Sequence, residues 1–190
     1  IMRLFLSIAF IMTMSLSSLS AQDFPGVDKS PMDMAYYPSR VAFRAFAKTE
    51  QEKSVKPVVR VIYSRPMKND RTIFGELIKY GETWRVGANE STEVMFYQDV
   101  KINGKNVKAG RYTLYANPQQ DNWEIFFNSD LDGWGHYAYD ASKNVASITV
   151  PTQKTSKTVD AMAIMFEKAD KGANMLIAWD DTMVSVPIEF

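Results

Sequence analysis

Short apolar segments with alternating side chains, separated by turn residues, constrain the fold of this chain most strongly. Alternation with a period of two is typical of strands that bury one face. Asn103-Gly104 predicts a tight hairpin, because both residues tolerate positive φ. Pro187 in the last segment indicates an edge strand, where a missing N–H costs little. The candidate strands are residues 40–47, 58–64, 92–98, 100–102, 111–116, 122–128, 145–150, 159–167, 173–180 and 183–189.

These segments predict an all-β fold, a single antiparallel β-sandwich or flattened barrel of about nine or ten short strands. Helix competes with strand for residues 40–47, since Phe43 and Phe46 are three residues apart. At most one short helix is expected elsewhere, near residues 74–80. We expect a single β domain over residues 39–190, preceded by an extended lead-in over residues 22–38, which is rich in proline.

The first 21 residues have the pattern of a secretory signal peptide. Arg3 precedes an apolar run over residues 4–14, and mostly small or polar residues lead to Ala21. The apolar run is too short to span a bilayer comfortably, so no membrane span is expected after cleavage near Ala21. An uncleaved membrane anchor is the alternative. We therefore expect a periplasmic or secreted protein.

Composition limits which partners the protein is expected to bind and which interactions stabilise its fold. The chain has no cysteine, so the roughly 169 residues left after cleavage depend on their core rather than on disulfides. It has 22 basic and 22 acidic side chains, and loss of Arg3 with the leader leaves a net charge of −1. Phosphate binding needs clustered positive charge, so nucleic acid is not expected as a partner. No cofactor is expected either, since the chain lacks a phosphate-binding glycine loop.

A polar block at residues 84–90, Trp-Arg-Val-Gly-Ala-Asn-Glu, interrupts the strand pattern, and Tyr63-Ser-Arg-Pro is its upstream companion. Arginine offers a planar fork of donors, and asparagine can both donate and accept. Either the polar residues form a buried network that locks the fold, or they line a pocket with tryptophan as an apolar wall. Direct catalysis is a third interpretation. The candidate ligand-binding residues are Arg65, Trp84, Arg85, Asn89, Glu90 and Trp134.

Two weaker hypotheses concern catalysis and metal binding. His136 is the only histidine, so two histidines of one chain cannot share a metal, but it could act as a general base near neutral pH. A hydrolase using Glu90 or His136 is therefore an alternative function. Asn128, Asp130 and Asp132 imitate the start of a calcium loop. The twelfth position of that loop is tyrosine rather than glutamate, so a hydrated turn competes with a calcium site.

The sequence favours a non-enzymatic binding or interaction module over the hydrolase and over a purely structural envelope protein. A carbohydrate or another small polar ligand is the expected partner. A cluster of Trp84, Trp123 and Trp134 at one end of the sandwich would support binding, because exposed aromatic platforms bind sugars. Burial of these rings at separate core positions would support a structural role.

Several motifs occur in a fixed order along the chain. They are Tyr63-Ser-Arg-Pro66, Arg71-x-Ile-Phe-Gly75, Tyr80-Gly-x-x-Trp84-Arg-x-Gly-Ala-Asn-Glu90 and Asn103-Gly-Lys-x-x-x-Ala109-Gly-x-Tyr112, then Trp123, Phe127-Asn128, Trp134-Gly135 and Tyr139-Asp140. This order resembles the bacterial domain-of-unknown-function family 2911 (DUF2911) over about residues 55–189. The resemblance implies an exported, β-rich domain, and it implies no particular activity.

Overall fold

A computed structural model of the chain describes residues 22–190, and the expected signal peptide at residues 1–21 lies outside the described residues. Within them the fold is built from nine strands, and helical structure is limited to three short segments. The strands are β1 (Met32–Tyr37), β2 (Val59–Ser64), β3 (Thr92–Phe96), β4 (Val100–Ile102), β5 (Lys105–Val107), β6 (Gly110–Pro118), β7 (Asn122–Asn128), β8 (Asn144–Ala169) and β9 (Gly172–Glu189). The helical segments are a 3-10 helix at Val41–Phe46, the α-helical turn α1 at Glu50–Lys53, and a 3-10 turn at Ala141–Lys143.

The strands pair antiparallel in the order β1-β2-β3-β6-β7-β8-β9-β4-β5. The long strand β8 belongs to two sheets, because residues 144–151 pair with β7 and residues 152–169 pair with β9. The two sheets enclose one hydrophobic core, which confirms the antiparallel sandwich. The flattened barrel does not form, since β1 and β5 remain the two open ends of the strand order.

Alternation along the strands decides which side chains enter this core. In β2 the buried apolar residues are Val59, Val61 and Tyr63, and in β7 they include Trp123 and Ile125. Fully burying a large apolar side chain stabilises the folded state by about 1.5–3 kcal/mol. A chain without disulfides thus obtains its stability from two facing apolar surfaces.

The strand expected at residues 40–47 is wrong, because this segment forms a 3-10 helix. Its Phe43 N–H donates to Arg40 O at 2.9 Å, as the i→i+3 pattern of a 3-10 helix requires. The edge of β2 that such a strand would need is already taken by β1, which forms within the lead-in. Left without a partner strand, Phe43 and Phe46 are exposed.

The short helix expected near residues 74–80 is also absent, and a turn takes its place. Gly75 has φ of 94°, a conformation that a helix cannot contain. Its N–H donates to Ile78 O at 2.8 Å and closes the turn. The turn directs Phe74 toward the core, where its ring packs on Trp123 with centroids 4.8 Å apart.

Four of the expected strands merge into two long ones. Residues 145–150 and 159–167 both lie in β8, and residues 173–180 and 183–189 both lie in β9. The register of the pair shifts between Lys154 and Ala163, where β8 bulges. The Asn103-Gly104 hairpin is confirmed, with φ values of 51° and 75°.

Pro187 does not mark an edge strand, because β9 lies between β8 and β4. It is tolerated because it falls between Val184, which pairs with β8, and Glu189, which pairs with β4. Its missing N–H therefore lies outside both ladders.

Candidate functional site

The polar block forms a loop whose two ends pair with nearby residues of β6. Trp84 pairs with Ala116 of β6, and Thr92 pairs with Leu114 only two residues away. The intervening residues 85–91 must therefore project from the sheet. The Thr92 hydroxyl closes the loop by donating to Val86 O at 2.6 Å.

The loop is held in a strained and crowded conformation. Val86 is fully buried with φ of 55°, in the left-handed region that β-branched residues avoid. At Gly87 a Cβ would lie 3.2 Å from Ser64 O, so a larger residue would push the loop slightly away from β2. Strain of this kind concentrates where a site needs a fixed geometry.

A second segment, residues 133–136, is attached to this loop by backbone hydrogen bonds. Ser91 N–H donates to Gly133 O at 2.9 Å, and Gly135 N–H donates to Asn89 O at 2.9 Å. These bonds bring His136 to the same cleft as Arg85. From the sequence the two residues belonged to separate hypotheses, and the fold joins them.

The loop borders a cleft of about 330 Å³. This volume lies at the small end of the range for ligand sites in proteins. The cleft is lined by Ser30, Pro66, Arg71, Leu77, Ile78, Lys79, Glu82, Thr83, Trp84, Arg85, Gly87, Ala88, His136 and Trp179. We refer to it below as the Arg85 cleft.

Arg85 is partly buried and has no acidic partner among residues 22–190. Its Nε is closed off from solvent without a hydrogen bond, and the residue lines the cleft. Burial lowers the pKa of the Arg85 guanidinium, because no carboxylate offsets the lost hydration. By contrast, Arg60 pairs with Glu93 at 3.0 Å and Arg65 pairs with Asp33 at 3.0 Å.

His136, which lines the same cleft, also has a buried polar atom without a hydrogen-bond partner in the described part of the chain. Its Nδ1 is buried and lacks a partner among the described residues, and its ring stacks on Tyr137 with centroids 5.2 Å apart. Buried unpaired polar atoms are uncommon in folded proteins and call for an explanation. Two of them, on Arg85 and His136, border the same small cleft.

Aromatic rings form the base of the Arg85 cleft. Trp84 stacks on Trp179 with centroids 6.2 Å apart, and Trp84 meets Trp123 edge-on at 5.7 Å. The indole N–H of Trp84 donates to Gly87 O at 3.1 Å, and that of Trp179 donates to Asp160 O at 3.2 Å. Both N–H groups are therefore occupied, and the rings can offer a ligand only apolar surface.

Trp134 does not belong to this aromatic cluster. Its side chain is 60% exposed and does not line the Arg85 cleft. The expected trio of Trp84, Trp123 and Trp134 is replaced by Trp84, Trp123 and Trp179. These three rings are almost completely buried, so most of their surface stabilises the core.

The upstream motif connects the two sheets. The Tyr63 hydroxyl donates to Ile164 O at 3.3 Å and accepts from Ile164 N–H at 3.0 Å, and burial raises the pKa of this phenol. Arg65 Nε donates to Met162 O at 2.9 Å. Both contacts join the end of β2 to β8, so this motif holds the sandwich together.

The expected network among Arg65, Arg85, Asn89 and Glu90 does not form in the described part of the chain. Asn89 Nδ2 donates to Asp28 Oδ1 at 3.0 Å and thereby holds the lead-in against the loop. Glu90 is exposed and borders a separate hollow. Each of the four side chains has its own surroundings, and only Arg85 lines the cleft.

The three calcium candidates are engaged with other side chains. Asn128 Nδ2 donates to Asn144 Oδ1 at 2.8 Å, while Asp130 pairs with Lys143 at 2.9 Å. Asp132 pairs with Arg111. Within residues 22–190 no three acidic or histidine side chains come close enough to hold a metal ion together.

Nothing near Lys79 or Trp179 in the sequence identifies either of them as a cleft residue. Lys79 and Glu82 are exposed side chains in turns, and Trp179 follows the ordinary alternation of β9. Arg71 stood in a motif, but nothing near it in sequence indicated proximity to Arg85. Only the packing of the turn at residues 71–83 against the loop brings these residues together.

The fold and the site define a class: a two-sheet antiparallel sandwich with a small cleft of aromatic base and cationic wall. The chain belongs to the family described as Protein of unknown function (DUF2911), whose model matches residues 46–188. No curated protein and no solved structure matches the chain. Among residues 22–190, none of the helical segments has the length and apolar character needed to cross a membrane.

Proposed function

We propose that this chain is an exported, non-enzymatic binding protein that takes a small polar ligand in the Arg85 cleft. The observation that carries this proposal is the state of Arg85. Arg85 lines a concave site and has no acidic partner among the described residues, while Arg60 and Arg65 each have one. A cation left unpaired at a partly buried position is costly unless a ligand compensates it.

The lining of the cleft supports a binding role. Ligand sites combine a mostly apolar wall with a few polar groups that fix orientation. Here Leu77, Ile78 and Trp84 supply apolar surface, and Arg85 and His136 supply the polar groups. The proposed export of the protein rests on the leader pattern of residues 1–21.

The alternatives have less support. The alternative hydrolase would use Glu90 or His136; Glu90 borders a different hollow, so only His136 could act in the Arg85 cleft. A purely structural role is supported at Tyr63 and Arg65, which join the two sheets. A purely structural role does not account for Arg85, whose guanidinium has no acidic partner among the described residues.

A thermal-shift screen tests the proposal. The protein is heated with neutral sugars, amino acids, organic acids and sugar phosphates, since a ligand that binds only the folded state raises Tm. We expect at least one compound to raise Tm and Arg85→Met to weaken its binding at least about tenfold, the effect of losing a charged hydrogen bond. Lys105→Met, at an exposed site on β5, is the matched control and should bind normally.

Two results would reject the site. One is a ligand that binds Arg85→Met and the unaltered protein equally well. The other is a complete screen in which no compound raises Tm.

A further inference from the structure

The Arg85 cleft carries an unbalanced charge. Its lining includes the cations of Arg71, Lys79 and Arg85 and the single carboxylate of Glu82. Within residues 22–190 none of these four side chains takes part in an ion pair. The cleft therefore has a formal charge of +2 in a chain whose total charge is near zero. A concave surface of one sign concentrates ligands of the opposite sign.

The cations differ in how they are held. The Arg71 guanidinium donates to the backbone carbonyls of Met67 and Lys68, with its Nε 3.1 Å from Lys68 O. These bonds restrain the Arg71 side chain, but backbone carbonyls are neutral, so no carboxylate balances its positive charge. Lys79 is exposed, whereas Arg85 is partly buried with an inaccessible Nε. The cleft thus has a hydrogen-bonded cation at Arg71, an exposed cation at Lys79 and a partly buried cation at Arg85.

Other arginines of the molecule show what an ordinary structural arrangement looks like. Arg111 pairs with Glu93 at 2.6 Å and also with Asp132, and Arg60 pairs with Glu93 at 3.0 Å. Within residues 22–190 these two side chains have carboxylate partners and Arg85 has none. The exposed Arg40 and Arg44 also lack such a partner there, so what distinguishes Arg85 is its partly buried position in a concave site.

We infer that the ligand of the Arg85 cleft carries an oxyanion, a carboxylate or phosphate group, which the guanidinium of Arg85 binds. This inference rests on the proposed function of the same cleft and specifies the class of ligand. The planar fork of arginine matches the oxygens of a carboxylate or phosphate in two parallel hydrogen bonds. In this pose Arg71 and Lys79 add long-range attraction.

The remaining lining limits the rest of the ligand. About 330 Å³ accommodates a compact metabolite of roughly the size of one sugar ring. Ile78 and Trp84 offer apolar surface to such a ring or to a short carbon chain. His136 lines the same cleft, so its imidazole can contribute a polar contact to such a ligand. A small acid with a hydroxyl group, such as a sugar acid or sugar phosphate, satisfies all of these features.

Titration of the protein with small anions, followed by ¹H–¹⁵N NMR, tests the inference. The probes are sodium phosphate, sodium acetate and sodium glucuronate, with glucose as the neutral counterpart of glucuronate, all at constant ionic strength. We expect saturable shifts of the Arg85 Nε–H and of the amides of residues 85–91 with the anions, and none with glucose. Arg85→Met should weaken anion binding at least about tenfold, and Lys105→Met should leave it unchanged.

Further variants separate the two kinds of anion. Arg85→Lys keeps the charge but loses the fork, so it should retain phosphate binding better than acetate or glucuronate binding. Raising NaCl from about 50 to 300 mM should weaken anion binding, because the cleft is open enough for screening.

Each opposing result has a distinct meaning. If neutral sugars shift the signals of residues 85–91 and the anions do not, the oxyanion inference is overturned while the binding cleft stands. If neither class shifts them, the proposed function fails as well. If anion shifts spread over exposed lysines and persist in Arg85→Met, the ions bind adventitiously and the inference is rejected.

Discussion

At the residue scale, two arginines of the family motifs have opposite energetic roles. Arg65 donates to Met162 O and to Asp33, and these bonds connect β2 with β8 and β1. Arg85 makes no such bonds within the described residues and loses hydration through burial. The first side chain stabilises the fold, whereas burying the second without a carboxylate partner costs hydration.

Replacing each arginine with methionine separates these roles. Arg65→Met should lower the free energy of unfolding by about 1–3 kcal/mol, because a buried carbonyl and a carboxylate lose their donor. Arg85→Met should leave it unchanged or raise it, because the apolar stem remains and the uncompensated charge is removed. Urea denaturation of both variants measures the difference. A large loss of stability in Arg85→Met would instead support a fold-locking role.

The sequence identified both motifs but could not distinguish their arginines. Arg65 and Arg85 both lie next to polar and apolar neighbours, and each could have been paired or free. The partners of Arg65 are 32 and 97 residues away along the chain. Such contacts depend on which strands meet, and local composition does not encode that.

At the element scale, the two longest strands are shaped by bends. Asp180 in β9 has φ of 57°, opposite the stretch of β8 where the register shifts. The bend brings the two ends of β9 together, and Phe190 N–H donates to Lys171 O at 3.0 Å. Gly172 lies at this meeting point, where a Cβ would be 2.2 Å from Ile188 O.

A pair of glycine variants tests this closure. Gly172→Ala should cost roughly 3–5 kcal/mol, because overpacking against backbone adds to an unfavourable φ. Gly104, in the β4–β5 turn, also has a positive φ, 75° against 146° at Gly172, but nothing lies within 4 Å of a new Cβ there. Gly104→Ala should cost only about 1–2 kcal/mol. Thermal and urea unfolding of the two variants provide the comparison, and equal losses would show that the ends of β9 do not meet closely.

Strands with strong alternation of apolar and polar residues could be predicted from the sequence. The structure of a segment that competes with another for the same strand edge could not. Residues 58–64 and 122–128 have clear alternation, and both are strands. Residues 40–47 also contain alternating apolar side chains, yet β1 occupies the only edge of β2 that was free. Which of two segments pairs with an edge depends on the whole sheet.

At the scale of the whole molecule, β8 makes the two sheets one cooperative unit. It pairs with β7 in one sheet and with β9 in the other, and a single core contains side chains from both. If one sheet separated from the core, the apolar face of the other sheet would be exposed to water.

This arrangement predicts a single unfolding transition. In a Trp134→Phe variant the remaining tryptophans are the three core residues Trp84, Trp123 and Trp179, so fluorescence reports the core alone. Its urea midpoint should coincide with the midpoint from far-UV circular dichroism. Two separated midpoints would mean that the sheets unfold independently.

The sequence by itself determined the β class, most of the strands, the Asn103-Gly104 hairpin and membership of the family, because these depend on alternation, turn chemistry and motif order. It also identified Arg85 and His136 as unusual residues. Only the tertiary structure decided that they share a cleft, that Asn89 and Glu90 face elsewhere, and that Tyr63 and Arg65 join the sheets. The reason is physical: a strand pattern specifies which face of a segment is buried, whereas a site depends on distant segments that meet only after the sheets have closed on their core.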